Sequence, residues 1–183
     1  MTAQIHVTID SGSITVDGAS GATLATQSGS LAIANVQNTL DARTVSGNIT
    51  ASAVNGQMAI ATENGSISVN HVNGQLKAST QNGDVIVSAA TLSGQSVLQT
   101  NYGSVRFSGA IDPRGTYTMA TLSGNVDLTL PDDTTFELAA RTDSGSVQNA
   151  FGSNTVGNAP RAQITITIGS GSVTMNKAST PLT

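Results

Sequence analysis

The chain has 183 residues, a formal net charge of −4 and only 10% charged residues. It therefore lacks the basic surface that binding to nucleic acid or to an anionic membrane requires. It has no cysteine, which excludes a disulfide framework and thiolate chemistry. It also has no run of about 18 apolar residues, so we expect no membrane insertion by this segment.

The first predicted element ends at a glycine motif that recurs along the whole chain. In each copy the glycine follows Ser, Asn or Tyr and precedes a polar residue and then Ile, Val or Leu. The spacing is 17 or 18 residues at first and 20 or 21 later, with a last gap of 26. Such a period indicates a solenoid. The motif glycines are Gly12, Gly29, Gly47, Gly65, Gly83, Gly103, Gly124, Gly145 and Gly171.

Apolar and polar residues alternate on both sides of each motif glycine. Around Gly65 the apolar positions are Met58 and Ile60 before the glycine, and Ile67 and Val69 after it. This period of two predicts a strand on each side with one buried face. Thr stands three residues before the glycine in seven of nine copies, on the buried side by parity. We expect each Thr hydroxyl to bond a neighbouring turn amide or the next Thr.

A second turn is predicted in the middle of the early repeats, where Gly21, Asn38, Gly56, Gly74 and Gly94 recur at the same spacing. Two strands and two tight turns leave the central repeats no room for a helix. Stacked repeats pair each strand with the equivalent strand one repeat later. The sequence thus predicts an all-β, single-stranded parallel β-solenoid, or β-helix, of about nine turns of 17–21 residues. A right-handed coil is expected, and replacing Gly65 by Val should be costly if this glycine has positive φ.

The pattern loosens towards the C-terminus. Wider turns are predicted at 112–115 and 131–133, and a protruding loop at 150–161. The strongly alternating segment 164–175 is expected to be the terminal strand pair. We predict one solenoid domain over residues 1–176 and a tail or linker over 177–183, with no dedicated cap on the open ends.

The recurring pattern Thr-x-Ser/Asn-Gly-Ser/Asn/Asp-Ile/Val-x-Val, alternating with Val-x-Gly-x-Leu, resembles a bacterial family of adhesin-like domains with β-strand repeats. That is a domain-of-unknown-function family related to the head domains of autotransporter adhesins. The likeness covers roughly Ile5 to Met175. It implies an extracytoplasmic β-solenoid, often tethered by a transmembrane helix in the parent protein, and brings no catalytic residues. We therefore expect an extracellular or cell-surface domain excised from an anchored or secreted parent.

Acidic residues were considered as catalysts because polysaccharide lyases and hydrolases on β-helices need two or three converging carboxylates. Asp10, Glu63 and Asp143 share the position two before the motif glycine, but they lie in different repeats. The favoured interpretation is solvated turn carboxylates, and no catalytic residue is predicted. A carbohydrate-active enzyme on a β-helix stays the alternative.

Metal and cofactor sites are not predicted either. Ser and Asn replace the aspartates of the calcium-binding β-roll repeat, and the two histidines, His6 and His71, stand in separate repeats. An ice-binding Thr array is disfavoured because Ile86, Arg106 and Asp127 interrupt the outward column. The polar row after each glycine could bind a glycan or a partner strand, although turn residues satisfying their own backbone is the favoured interpretation.

These observations together favour a non-enzymatic surface or periplasmic scaffold with an adhesin-like binding role. The partner is unknown, with a glycan or a surface protein as candidates, and contact is expected through the long faces or through the loop at 150–161.

Overall fold

The computed structural model describes residues 3–178, and all regular secondary structure in that range is β. Neighbouring strands are parallel except for β13, which runs antiparallel to β11. The predicted parallel β-solenoid is confirmed. Its strands are β1 (Gln4–Ser11), β2 (Ile14–Ser28), β3 (Leu31–Ser46), β4 (Ile49–Asn64), β5 (Ile67–Asn82), β6 (Val85–Leu92), β7 (Gln95–Tyr102), β8 (Val105–Ile111), β9 (Thr116–Ser123), β10 (Val126–Pro131), β11 (Phe136–Ser144), β12 (Val147–Asn149), β13 (Thr155–Val156), β14 (Ala162–Ser170) and β15 (Val173–Ala178).

Each motif glycine forms a corner between two strand segments, and we call a corner with its two flanking segments a level. The early levels stack in chain order and in register, so that Ile49 pairs with Ile67 and Thr62 pairs with Thr80. Seven of the nine levels lie between two others. Because the strands are equivalent, each level presents the same columns of side chains to the interior and to solvent.

The predicted apolar columns form one continuous core. Ile60, Ile67 and Val69 are almost fully buried, while the adjacent residues Ala61 and Ser68 face outwards. Val147 departs from its column and is 43% exposed, since β12 pairs only with β15 and stands at the end of the stack. The core is therefore tight in the middle of the solenoid and looser at its last level.

The corner glycines are required by the closeness of successive corners. A Cβ atom placed on Gly65 would collide with the carbonyl oxygen of Gly47. Gly65 is not among the residues with positive φ, so the condition set for it is not met, whereas the other eight corner glycines have positive φ. Close approach of one backbone to the next therefore accounts for glycine at this corner.

Buried threonines bind these corners to one another. Thr62 donates its hydroxyl to the carbonyl oxygen of Gly47 at 3.0 Å, and Thr80 donates to that of Gly65 at 2.8 Å. The predicted Thr ladder is confirmed in its burial, but the acceptor is the carbonyl of the adjacent corner and not an amide or another Thr. Thr26 differs, because its buried hydroxyl has no hydrogen-bond partner among the described residues.

The structure has a second bend in each of the early repeats, before the predicted mid-repeat turn, and glycine does not recur at this bend. The predicted markers Gly56, Gly74 and Gly94 do have positive φ, but Gly21 and Asn38 do not. The additional bend is a column of left-handed residues in register through the first five repeats. Its members are Gly18, Asn35, Ala53, His71 and Ala89, with φ between 48° and 78°.

The last two levels stack out of chain order. β14 lies between β9 and β11, and β15 lies between β10 and β12. The corner glycines agree, since Gly171 packs on Gly124 and Gly145 packs on Gly171. The segment 164–175 is thus inside the stack, which corrects its prediction as a terminal pair. Its regularly spaced isoleucines suit a position with neighbours on both sides.

The segment 150–161 covers the C-terminal end of the solenoid, so the predictions of a protruding loop and of no cap are wrong. β13 within it adds to the free edge of β11. The ring of Phe151 meets that of Phe136 edge to face, with centroids 5.0 Å apart. The Lys177 ammonium lies 5.0 Å from the Phe151 ring centre. β15 extends into the predicted tail as far as Ala178, and residues 179–183 lie outside the described range.

Candidate functional site

A furrow runs along the outer face of the strands that precede the corner glycines, parallel to the stacking axis. Its main part has a volume of about 710 Å³ and extends over six levels, from Thr8 to Asn101. A second part of about 260 Å³ shares Gln99 and Asn101 and continues to Gly169. We call both parts together the furrow. Nine levels at a strand spacing of about 4.8 Å give it a length of roughly 38 Å.

Two outward columns shape the furrow. Side chains four residues before the corner form its floor, and at Ala25, Ala61 and Ser79 they are small and half-buried. Side chains two residues before the corner are longer and exposed, as at Gln27 and Gln81, and form a wall. Strand alternation keeps the two columns on the same face, with the buried Thr ladder between them in sequence.

Arg43 and Gln99 are the long side chains on the floor of the main part of the furrow, and Arg43 is the one cation among the residues that line this part. It donates to Asp41 through Nε at 2.8 Å and through Nη2 at 3.0 Å. The hydrogen bond to Asp41, together with its charge, raises the pKa of Arg43. The guanidinium charge is thus compensated by a carboxylate on the same strand.

Carboxylates in the furrow are far apart. Asp10 and Glu63 share the wall column, as the sequence indicates, but they stand three levels apart, about 14 Å at the strand spacing. Asp143 lies on β11 and borders the second part of the furrow. The structure thus aligns the three acidic residues along one line without bringing them together.

The histidines stand alone. His6 is exposed on β1, and His71 is exposed at the second bend. Within residues 3–178 no group of three or more His, Asp or Glu side chains is close enough to hold a metal ion.

The polar row that follows each corner glycine is engaged within the stack. The backbone N–H of Ser66 donates to Asn48 Oδ1 at 2.8 Å, and that of Ser104 donates to Asp84 Oδ1 at 2.8 Å. The same bond joins Ser172 to Asn125 at 2.9 Å across the out-of-order level. These residues satisfy the backbone of the adjacent level, not their own, so they offer a ligand less than the sequence suggests.

The furrow was not predicted from the sequence, although the residue pattern contains a signal for it. Most residues of the floor column are small, as at Ala25, Ala61, Ser79 and Ala120. A small outward residue next to a longer one two positions later forms a depression only when several levels stack in register. The register of the levels is therefore needed to recognise the furrow.

Comparison with known protein families gives one match. The family model described as Toastrack DUF4097 matches residues 2–114. This range holds the first six corners and the main part of the furrow. No curated protein and no solved structure matches the chain. In the described residues no helix has the length and hydropathy needed to cross a bilayer.

Proposed function

The chain belongs to the Toastrack DUF4097 family of domains of unknown function, and we propose that it is a non-enzymatic, adhesin-like binding module whose furrow holds an extended glycan chain. The observation that carries this proposal is the continuous furrow with amide and hydroxyl groups along its length. A surface protein is the other candidate partner, and the test below distinguishes it from a glycan.

The repeat of the furrow suits a polymer. Equivalent positions recur at about 4.8 Å along the axis, so a chain of similar units meets similar groups at each step. Gln27, Gln81, Gln99 and Asn101 offer both donors and acceptors to hydroxyl groups. Because Asp41 compensates Arg43, the lining favours a neutral or weakly charged glycan over a strongly anionic one.

The spacing of the acidic side chains supports binding without hydrolysis. Glycosidases hold their two carboxyl groups about 5 to 9.5 Å apart. Asp10 and Glu63 stand about 14 Å apart at the strand spacing, and Asp41 is engaged by Arg43. A non-enzymatic module therefore accounts for the furrow better than a lyase or hydrolase does.

An extracellular or cell-surface location is part of the proposal. It is supported by the cysteine-free, acidic composition rich in small polar residues, which is common among exported bacterial proteins. Protease treatment of intact cells that express the parent protein tests it. Cleavage of the domain before lysis is the expected result, and full protection until lysis would contradict a surface location.

Binding is tested with an array of bacterial and host polysaccharides, followed by calorimetry on any hit. Ala61→Trp places a bulky side chain on the furrow floor and should abolish the binding. Ser68→Trp is the matched control, since Ser68 is exposed on the face that follows the corner and away from the furrow. No hit on the array, or equal loss with both variants, would overturn the proposal. Release of sugar products would instead favour a carbohydrate-active enzyme. Binding to surface proteins alone would favour a protein partner over a glycan.

A further inference from the structure

We propose that two copies of this chain pair head to head through β1, in an antiparallel arrangement centred on Val7. This inference concerns the N-terminal end of the stack and stands independently of what the furrow binds.

The N-terminal edge is open among the described residues. β1 pairs with β2 on one side only, so its other side carries unpaired backbone N–H and C=O groups. Ile5, Val7 and Ile9 pack against the core but stay half-buried. Edge strands are normally protected by Lys, Pro or a bulge, and β1 has no Lys or Pro and pairs with β2 without a register shift.

The opposite end is closed, which restricts how a second copy can attach. β13 occupies the free edge of β11, and Phe151 packs on Phe136 beside it. The other terminal strand, β12, has only three residues. Head-to-tail stacking therefore finds little free edge at the C-terminal end, and the partner of β1 is the β1 of another copy.

β1 is complementary to itself when it runs antiparallel. Pairing about Val7 places Ile5 of one copy opposite Ile9 of the other, and Val7 opposite Val7, so all inward positions match. On the outer face the same pairing sets His6 opposite Thr8 and Gln4 opposite Asp10. No like charges face each other, and the amide of Gln4 can donate to the Asp10 carboxylate. A two-fold arrangement of this kind uses the same strand from both copies.

The oligomeric state in solution tests the proposal, by light scattering after size exclusion and by sedimentation across a range of concentrations. The parent chain should form a dimer. The double variant His6→Lys/Thr8→Lys brings four ammonium groups together at the pairing and should weaken the dimer about tenfold or more. Thr165→Lys/Thr167→Lys is the matched control, because these exposed residues occupy the same two columns on β14, inside the stack. It should leave the dimer intact.

Cross-linking tests the register. The chain has no cysteine of its own, and opposed Cα atoms in an antiparallel pair are about 4.5 to 5.5 Å apart, within disulfide range. A mixture of His6→Cys and Thr8→Cys chains should form a covalent dimer under mild oxidation, and each variant alone should form much less. A parent chain that stays monomeric at all concentrations, or a dimer that the lysine pair on β1 does not weaken, would overturn the proposal. Equal cross-linking in all three samples would overturn the register.

Discussion

Thr62 donates its buried hydroxyl to the carbonyl oxygen of Gly47, the corner glycine of the adjacent level, at 3.0 Å. The same bond recurs from level to level, with Thr44 bonded to Gly29 and Thr100 bonded to Gly83. In these levels one side chain thus holds the corner at which two backbones come closest.

The Thr ladder predicts different results for the same substitution at two of its positions. Thr62→Val removes the donor and leaves the buried Gly47 carbonyl without it, so the free energy of unfolding should fall by about 1–2 kcal/mol. Thr26→Val should be neutral or slightly stabilising, because the Thr26 hydroxyl is buried and has no partner in the described range. Urea unfolding measures both. Equal losses would show that the hydroxyl bond contributes nothing particular at Thr62.

Corner glycines and bend glycines should respond differently to alanine. Gly65→Ala forces the backbones of two levels apart and should cost several kcal/mol, about 3 or more, since the obstacle is a backbone carbonyl that cannot move alone. Gly18 has φ of 78° and open space around its Cβ position, so Gly18→Ala should cost only about 1 kcal/mol.

A third variant separates backbone strain from crowding at these positions. Gly18→Asn should be close to neutral, because Asn35 occupies the next position of the same column at φ 56°. Thermal unfolding ranks the three variants. A Gly65→Ala variant that melts with the parent would contradict the close-packed corner.

Tyr117 should make stability depend on pH in the alkaline range. Burial raises its pKa to about 12, against a smaller opposing effect of the backbone hydrogen bond at Asp112. The phenol oxygen lies 2.8 Å from the Leu92 carbonyl oxygen and 3.0 Å from that of Asp112. The contribution of the neutral phenol is complete below pH 10 and disappears as the pH rises through about 12, a loss of roughly 2 kcal/mol.

Two variants check this pH dependence. Tyr102→Phe leaves Tyr117 as the one tyrosine, so the phenolate absorbance of the folded variant reports its titration. Tyr117→Phe should be less stable than the parent at neutral pH by about 1 kcal/mol, and that difference should shrink above pH 10 and reverse in sign by about pH 12. A constant difference over this interval would show that Tyr117 ionises as freely in the folded chain as in the unfolded one.

The cap should stabilise the C-terminal end locally. Phe151→Ala removes the edge-to-face contact with Phe136 and the ring under Lys177, and should cost about 1–2 kcal/mol. Hydrogen exchange should accelerate at Leu138, whose N–H donates to the Asn154 carbonyl oxygen at 2.7 Å. Exchange in β4, in the middle of the stack, should not change. Acceleration spread evenly over all levels would argue against a local cap.

Within-level structure could be read from the sequence. The alternation around Gly65 correctly places Ile60, Ile67 and Val69 in the core, and the row of Thr residues correctly predicts a buried ladder. These features depend on strand periodicity alone. The left-handed bend could not be predicted, because its column has no common residue type, and at Ala53 and Ala89 the surrounding stack imposes a positive φ that alanine rarely adopts.

The order of the levels could not be read in the same way. Each level presents the same columns to its neighbours, so pairing β9 with β14 or with β11 satisfies the same pattern. A weak signal was present in composition. Asn149 interrupts an apolar column of one level, which suits an end position, whereas Ile164 and Ile166 suit an interior one. The furrow depends on that stacking and was missed for the same reason.

The out-of-order last level has a consequence for how the protein is made. During synthesis β11 and β12 emerge before β14 and β15, yet they pair with these later strands in the folded stack. The first seven levels can assemble progressively as the chain leaves the ribosome, while this end of the rod can close only after β14 and β15 have emerged. A duplicated repeat among β3, β4 and β5 simply joins the sequence of stacked turns. Lengthening this protein by gene duplication is therefore far easier there than at the out-of-order end of the stack.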